Sequence, residues 1–183
     1  MQYKLDVELT DKDYLEFNLF QTFKSAVGKK NIRKSRVIFL AAIVALALLV
    51  VVLRGFTTSG LIYLGLLAVL TVVYMILFKR IMAASLVKQL KALKKSGKLP
   101  FDPKSEIEFF DDKFIESAKT NRNERSYDSI EKVCIYGDKY IYLFTSVASA
   151  YILPVPLVKK QVNYNAFVKF LSQKCSATEQ YKA

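Results

Sequence analysis

The fold is decided by two apolar stretches, residues 37–53 (VIFLAAIVALALLVVVL) and residues 61–78 (LIYLGLLAVLTVVYMILF). Neither stretch contains a charged side chain. As α-helices they would be about 26 Å and about 27 Å long, close to the roughly 30 Å of bilayer hydrocarbon. Only residues 54–60 separate them. The two stretches therefore predict a transmembrane hairpin, with residues 54–60 as its external loop.

Basic side chains flank the hairpin on the side away from this loop. Residues 24–36 and 79–98 contain many Lys and Arg and no acidic residue, whereas the loop carries only Arg54. Because Lys and Arg stay in the cytoplasm, we expect a cell-membrane protein with two spans and both termini cytoplasmic. At this position anionic lipid headgroups are a better partner than nucleic acid. The residues expected to contact the headgroups are Lys29, Lys30, Arg33, Lys34, Arg36, Lys79, Arg80, Lys88 and Lys91.

The segment before the hairpin predicts a strand followed by a helix. Residues 2–9 alternate between apolar and charged side chains, which is the pattern of a half-buried strand. Thr10 resembles a helix cap, aromatic side chains recur every third residue over residues 14–23, and Gly28 is expected to end the helix. Residues 10–36 are interpreted as a juxtamembrane helix with a basic flank. The helix either lies amphipathically in the headgroup region or packs on another part of the protein.

A basic helix and a linker are expected after the hairpin, at residues 79–103. Leu86, Leu90 and Leu93 form a narrow apolar stripe among lysines, and Gly97 is a natural helix stop. The lysines of this segment either bind lipid phosphates or only set the topology.

A small antiparallel β domain capped by a helix is predicted at residues 104–173. Segments rich in aromatic and β-branched residues alternate there with turn signals. The predicted strands are residues 106–110, 114–120, 124–127, 130–136, 140–144 and 148–153. Residues 164–171 carry the apolar stripe of a closing helix, and residues 174–183 are expected to be a flexible tail.

The N-terminal strand provides a seventh strand on the same side of the membrane. A bare sheet edge is a liability, and an alternating strand can cover it. We therefore predict that residues 2–9 complete the C-terminal sheet, so that the hairpin interrupts the cytoplasmic domain. The predicted fold class is an α+β membrane protein.

No catalytic constellation is visible. The chain lacks histidine, a Gly-rich phosphate loop and a clustered acid, base and nucleophile. We expect no enzymatic activity, no cofactor and no metal ion. Four tyrosines could line a partner surface, although tyrosines on strands more often belong to the core. They are Tyr127, Tyr140, Tyr142 and Tyr151.

The whole arrangement resembles the YcxB-like family of bacterial membrane proteins. The matching residues are 13–18 (DYLEFN), the paired apolar stretches, 107–112 (IEFFDD) and 151–154 (YILP). Tyr127 stands where members often carry Trp, and Val155 stands where they often carry a basic residue. The resemblance implies a C-terminal domain similar to the pleckstrin-homology-like (PH-like) β fold. It implies no activity.

Two functions follow as hypotheses. In the first, the hairpin anchors a PH-like β module at the inner leaflet, and the module binds a protein segment or mediates self-association. In the second, the chain is a small oligomeric transport, permeability or immunity-type membrane component. The lack of ionisable residues within the two apolar stretches counts against conduction.

Overall fold

The computed structural model describes residues 1–97, 101–119 and 121–182. Small parts of the predicted linker, second strand and tail, at residues 98–100, Thr120 and Ala183, lie outside the described residues. The chain divides into two compact units. The helical unit is Leu19–Lys91, and the β unit is Met1–Asn18 together with Ala92–Ala183.

The secondary structure is α+β, with long helices and two small sheets. The helices are α1 Asp11–Phe23, α2 Ala26–Arg54, α3 Thr58–Lys95, α4 Val155–Gln161 and α5 Tyr164–Lys174. The strands are β1 Tyr3–Glu8, β2 Lys104–Phe109, β3 Lys113–Ala118, β4 Arg122–Ser126, β5 Lys132–Tyr136, β6 Tyr140–Phe144, β7 Ala150–Pro154 and β8 Thr178–Tyr181. The 3-10 turn Tyr127–Ser129 joins β4 to β5.

Two helices, α2 and α3, are long and apolar enough to span a membrane. Only residues 55–57 connect them, fewer than the predicted loop of residues 54–60. Gly55 ends α2 at a φ of +58°, a conformation that favours glycine. The rings of Phe39 and Tyr74 stack with their centroids 3.8 Å apart. The two helices are therefore packed neighbours that run in opposite directions.

The expected helix end near Gly28 was wrong, because the break comes earlier. Helix α1 ends at Phe23, and α2 begins after Ser25, whose Oγ accepts a hydrogen bond from the Gly28 N–H at 2.9 Å. A Cβ added to Gly28 would lie 2.1 Å from the carbonyl oxygen of Gln21. Gly28 therefore permits a close approach between two helix ends and does not stop a helix.

The first sheet has the strand order β1-β2-β3-β4 and is antiparallel throughout. Strand β1 pairs with β2 from Tyr3 opposite Phe109 to Glu8 opposite Lys104. The structure thus has the pairing that was predicted for residues 2–9. The apolar side chains of β1 point into the core, since Leu5 is fully buried between exposed neighbours.

The second sheet has the order β7-β6-β5-β8, and β8 corrects the expectation of a flexible tail. Strand β8 runs parallel to β5. The N–H of Val133 donates to the carbonyl of Ala177 at 2.8 Å, and the N–H of Gly137 donates to that of Tyr181 at 2.9 Å. The sequence of β8, TEQY, lacks apolar alternation, so main-chain bonding to β5 rather than burial fixes it.

One hydrophobic core lies between the two sheets, and α4 and α5 close it. Phe167 and Leu171 of α5 are almost fully buried, as the stripe of the predicted closing helix requires. Helix α4 was not predicted. Pro154 precedes the helix and Pro156 lies in its first turn, where the missing N–H of a proline costs nothing.

Replacing Leu5 tests whether β1 belongs to the core of the β unit. Leu5→Ala should lower the free energy of unfolding by about 2–5 kcal/mol, as for other fully buried leucines. Lys4→Ala is the matched control on the exposed face and should cost less than about 1 kcal/mol, because its ion pair with Glu106 is exposed. Loss of the near-ultraviolet tyrosine signal of the full chain in denaturant measures both. Equal effects would show that β1 is not a core strand.

The docking of β8 should weaken in acid. The Tyr181 hydroxyl and then Lys132 lower the pKa of Glu179 below its ordinary value of 4.5. The ionised Glu179 side chain therefore stabilises the docking of β8 fully above about pH 4.5, and this stabilisation is lost as the pH falls through the lowered pKa. Glu179→Gln should reduce amide-exchange protection at Val133 and Gly137 near neutral pH, and the difference from the wild type should vanish in acid. Glu131→Gln, an exposed carboxylate at the edge of β5, should leave both amides unchanged.

Candidate functional site: a cleft at the free edge of β7

A cleft of about 390 Å³ opens in the β unit between the inner face of the first sheet and β7. Its volume falls within the range of small-ligand sites. We call it the edge cleft. The residues that give it its chemistry are Tyr14, Phe101, Glu116, Asn123, Arg125 and Tyr151.

The polar wall of the edge cleft occupies inward positions of the first sheet. Directly opposed residues form a row across the four strands, Leu5, Ile107, Glu116 and Asn123. Opposed side chains share one face of a sheet. Leu5 and Ile107 are buried, so Glu116 and Asn123 also point inward. A carboxylate and an amide therefore stand where the alternation of a sandwich calls for apolar side chains.

Glu116 is a half-buried carboxylate with weak compensation. Among the described residues, its hydrogen bonding consists of one long contact, from Asn123 Nδ2 to Oε2 at 3.4 Å. Burial raises the pKa of Glu116, and Asp102 raises it further. Asn123 and Arg125 lower this pKa, but burial has the larger effect. The site thus holds a negative charge that its own surroundings do not fully satisfy.

Tyr151 lies beside Glu116 on the opposite wall. Its ring meets the ring of Phe114 edge-on at 5.3 Å, and Phe114 precedes Glu116 by two residues on the same face of β3. Burial and then the charge of Glu116 raise the pKa of Tyr151, whereas Arg125 lowers it. Glu116, Arg125 and Tyr151 are therefore within electrostatic reach of one another.

An aromatic pair forms a further part of the wall. The rings of Tyr14 and Phe101 stack with centroids 5.0 Å apart at an interplanar angle of 21°. Tyr14 belongs to the first turns of α1, and Phe17 fixes those turns by packing on Tyr142 and Phe144 of the second sheet at 5.4 Å and 5.8 Å. The cleft consequently combines an apolar surface with a few converging polar groups, which is typical of a binding site.

Strand β7 presents an unpaired edge to the cleft. The N–H of Thr145 bonds to the carbonyl of Ser149, and the N–H of Val155 bonds to that of Lys139, which fixes the hydrogen-bonded pairs of β6 and β7. In that register the main-chain groups of residues 150 and 152 point away from β6. Over residues 1–97, 101–119 and 121–182, neither N–H has a hydrogen-bond partner. The edge can therefore accept another strand.

Most of the tyrosines proposed as a partner surface lie in the interior. Tyr127, Tyr140 and Tyr142 are each less than a tenth exposed. The Tyr127 hydroxyl donates to the carbonyl of Phe110, and the Tyr140 hydroxyl donates to Asp13 Oδ1, both at 2.8 Å. Burial raises the pKa of all three. These rings serve packing, and of the four proposed tyrosines Tyr151 alone lines the edge cleft.

Sequence reasoning missed Glu116, Asn123 and Arg125 as site residues. The segment that holds Glu116 reads as a strand because Phe114 and Ile115 are apolar. A usable signal was the charge two residues after Phe114, on the face that Phe114 assigns to the core. The wholly polar sequence of β4, RNERS, was a second signal.

The nine residues proposed to contact anionic lipid lie in the helical unit. All except Arg36 are exposed, and Arg36 places its guanidinium over the Phe78 ring at 5.6 Å from the centroid. Residues 19–91 contain eleven Lys and Arg and no acidic side chain. The remainder of the chain is nearly neutral, with seventeen basic and sixteen acidic side chains. Nearly all the excess positive charge thus belongs to the helical unit.

Comparisons with known proteins leave the chain's own geometry as the guide to function. No family model, no curated protein and no solved structure matches this chain. Within the described part of the chain, no group of three or more metal-ligating side chains could hold a metal ion.

Replacing Glu116 by an apolar residue should stabilise the protein. Glu116→Leu relieves the burial of a poorly compensated carboxylate and extends the apolar row of Leu5 and Ile107, so the free energy of unfolding should rise by about 1 kcal/mol. Glu124→Leu is the control on the outer face of β4, where an exposed ion pair with Lys113 is lost, and should give no gain. Denaturant unfolding measures both. A loss at Glu116 would show that this carboxylate is structural.

Proposed function

We propose that this chain is an integral membrane protein whose PH-like β module binds an extended segment of another protein at the inner leaflet. The observation that carries the proposal is the free edge of β7 inside the edge cleft. Main-chain pairing supplies affinity in such complexes, and pockets beside the edge supply specificity. The proposed role is binding, not catalysis.

The exposed surface of the long helices supports membrane insertion. None of the most apolar window of α2 is buried, and only 6% of that of α3 is buried. The core helix of a water-soluble protein would be covered by its neighbours. Exposed apolar surface on this scale needs a partner, and a bilayer provides it along the apolar stretches of both helices, residues 37–53 and 61–78.

The charge distribution supports the proposed orientation. Eight basic residues at the ends of the hairpin far from residues 55–57 are exposed, and no carboxylate in the helical unit competes for them. Such residues favour the cytoplasmic side and attract anionic headgroups by about 1 kcal/mol each. The hairpin would thus hold the β module at the inner leaflet.

The strand arrangement supports a PH-like sandwich. Seven antiparallel strands in two sheets are closed by α5, and β8 adds an eighth, parallel strand. This arrangement agrees with the proposed relation to the YcxB-like family.

Cysteine accessibility tests the membrane topology. In a chain whose native thiols Cys134 and Cys175 are replaced by serine, Thr57→Cys should react with a membrane-impermeant maleimide on intact cells. Asp112→Cys, in an exposed turn of the β unit, should react only after permeabilisation. Labelling of Asp112→Cys in intact cells would contradict the cytoplasmic placement.

Photo-crosslinking tests the binding role of the cleft. A photoreactive residue at Ala148, which lines the cleft, should give a discrete adduct with another protein in living cells. The same residue at exposed Asn165 on α5 should not. Ala150→Pro removes the outward N–H of β7 without breaking its ladder with β6, so it should abolish the Ala148 adduct. Adducts that survive this change, or adducts with lipid alone, would overturn the proposed binding mode.

A further inference from the structure

The position of Glu116 specifies which side chain a bound strand needs. On a strand paired with β7, the residue opposite Tyr151 shares the face of Tyr151. That face points towards the first sheet, because Tyr151 packs edge-on against the inward ring of Phe114. Glu116 lies on the same face of β3. The side chain opposite Tyr151 would therefore point into the cleft that Glu116 lines.

We propose that the edge cleft selects a segment that carries Lys or Arg opposite Tyr151, with Glu116 receiving the cation. This inference rests on the proposed function and names the chemistry of the partner. A half-buried carboxylate with one long hydrogen bond leaves acceptor capacity that an ammonium or guanidinium group fills. Asp102, also in the lining, adds negative charge to the approach.

The aromatic pair suits the stem of such a side chain. The long methylene stems of Lys and Arg lie along apolar surface while their charged ends reach a polar group. The stacked rings of Tyr14 and Phe101 offer that surface within the cleft, and an aromatic ring also attracts a cation. An acidic side chain would gain from neither feature.

Arg125 is the one described cation in the cleft lining. Its charge does not prevent Glu116 from selecting a basic side chain. Its side chain is exposed, so water screens its charge. It faces Tyr151 as well as Glu116, and the pKa of Glu116 stays raised in spite of it. The carboxylate therefore retains capacity for a second cation.

Binding of strand peptides to the full chain tests the inference. The chain is held in nanodiscs of phosphatidylcholine, a neutral lipid that gives basic peptides no charge to bind. The probes are labelled peptides of the sequence TVTXTVT, in which X is lysine, norleucine or glutamate, and anisotropy is measured at an ionic strength of about 0.15 M. We expect the lysine peptide to bind about tenfold more tightly than the norleucine peptide, as one charge-assisted hydrogen bond allows.

Matched variants assign the preference to Glu116. Glu116→Gln should remove the lysine preference while the norleucine peptide still binds. Glu124→Gln, the same change on the outer face of β4, should leave the preference for the lysine peptide unchanged. Ala150→Pro should abolish binding of all three peptides, whereas Ala150→Val, which keeps the N–H, should not.

The outcomes separate the two proposals. Equal binding of the three peptides that still depends on the N–H of residue 150 would leave the proposed function standing and overturn the selection by Glu116. Tighter binding of the glutamate peptide would also overturn it and would assign selection to Arg125. Failure of every peptide to bind, or binding unaffected by Ala150→Pro, would overturn the proposed function and this inference with it.

Discussion

The pairing of β1 with β2 is the constraint on which the rest of the structure depends. These strands are separated in sequence by the whole helical unit, yet they pair over six residues in one sheet. A chain that leaves the sheet at Glu8 must return to it at Lys104. If the intervening helices cross a membrane, the number of crossings must be even, which two spans satisfy. The pairing of β1 with β2 is therefore compatible with a hairpin of two spans.

The edge cleft exists because the sandwich is incomplete on one side. Leu5, Ile107, Glu116 and Asn123 oppose one another across the four strands of the first sheet. Leu5 and Ile107 are buried in the core, whereas water and ligands can reach Glu116 and Asn123. A carboxylate at an inward position costs stability, and such exceptions to a folding pattern are expected at functional sites. The site and its cost in stability thus have one origin, namely that the side chain of residue 116 points inward from β3.

The sequence was sufficient for elements whose own side chains determine them. Alternation identified β1, a dense aromatic run identified β6, and the stripe ending at Leu171 identified the closing helix. The sequence was insufficient where contacts with main-chain groups elsewhere in the fold determine the local structure. Strand β8 is polar and short, and it forms because β5 offers an unpaired edge. Gly28 was misread as a stop because its role, a close approach to the Gln21 carbonyl, depends on three-dimensional geometry.

The candidate site was predictable only in part for the same reason. Tyr151 was named from its residue type, but its burial and its neighbours follow from the packing of β7 against Phe114. Glu116 and Arg125 are ordinary charged residues in the sequence. Their meaning comes from cross-strand register, which places them beside Tyr151 and the open edge. Register over long sequence separations is not readable from local periodicity.

The most direct measurement of the central claim is residue-resolved amide exchange of β7 in the full chain, with and without a bound lysine-bearing strand peptide. Without the peptide, the N–H groups of Ala150 and Ile152 should exchange faster than those of Tyr151 and Leu153, which bond to β6. With the peptide, Ala150 and Ile152 should become protected, and Tyr151 and Leu153 should change little. Uniform protection of all four without peptide, or no change at Ala150 and Ile152 with it, would contradict an open strand edge that binds a partner.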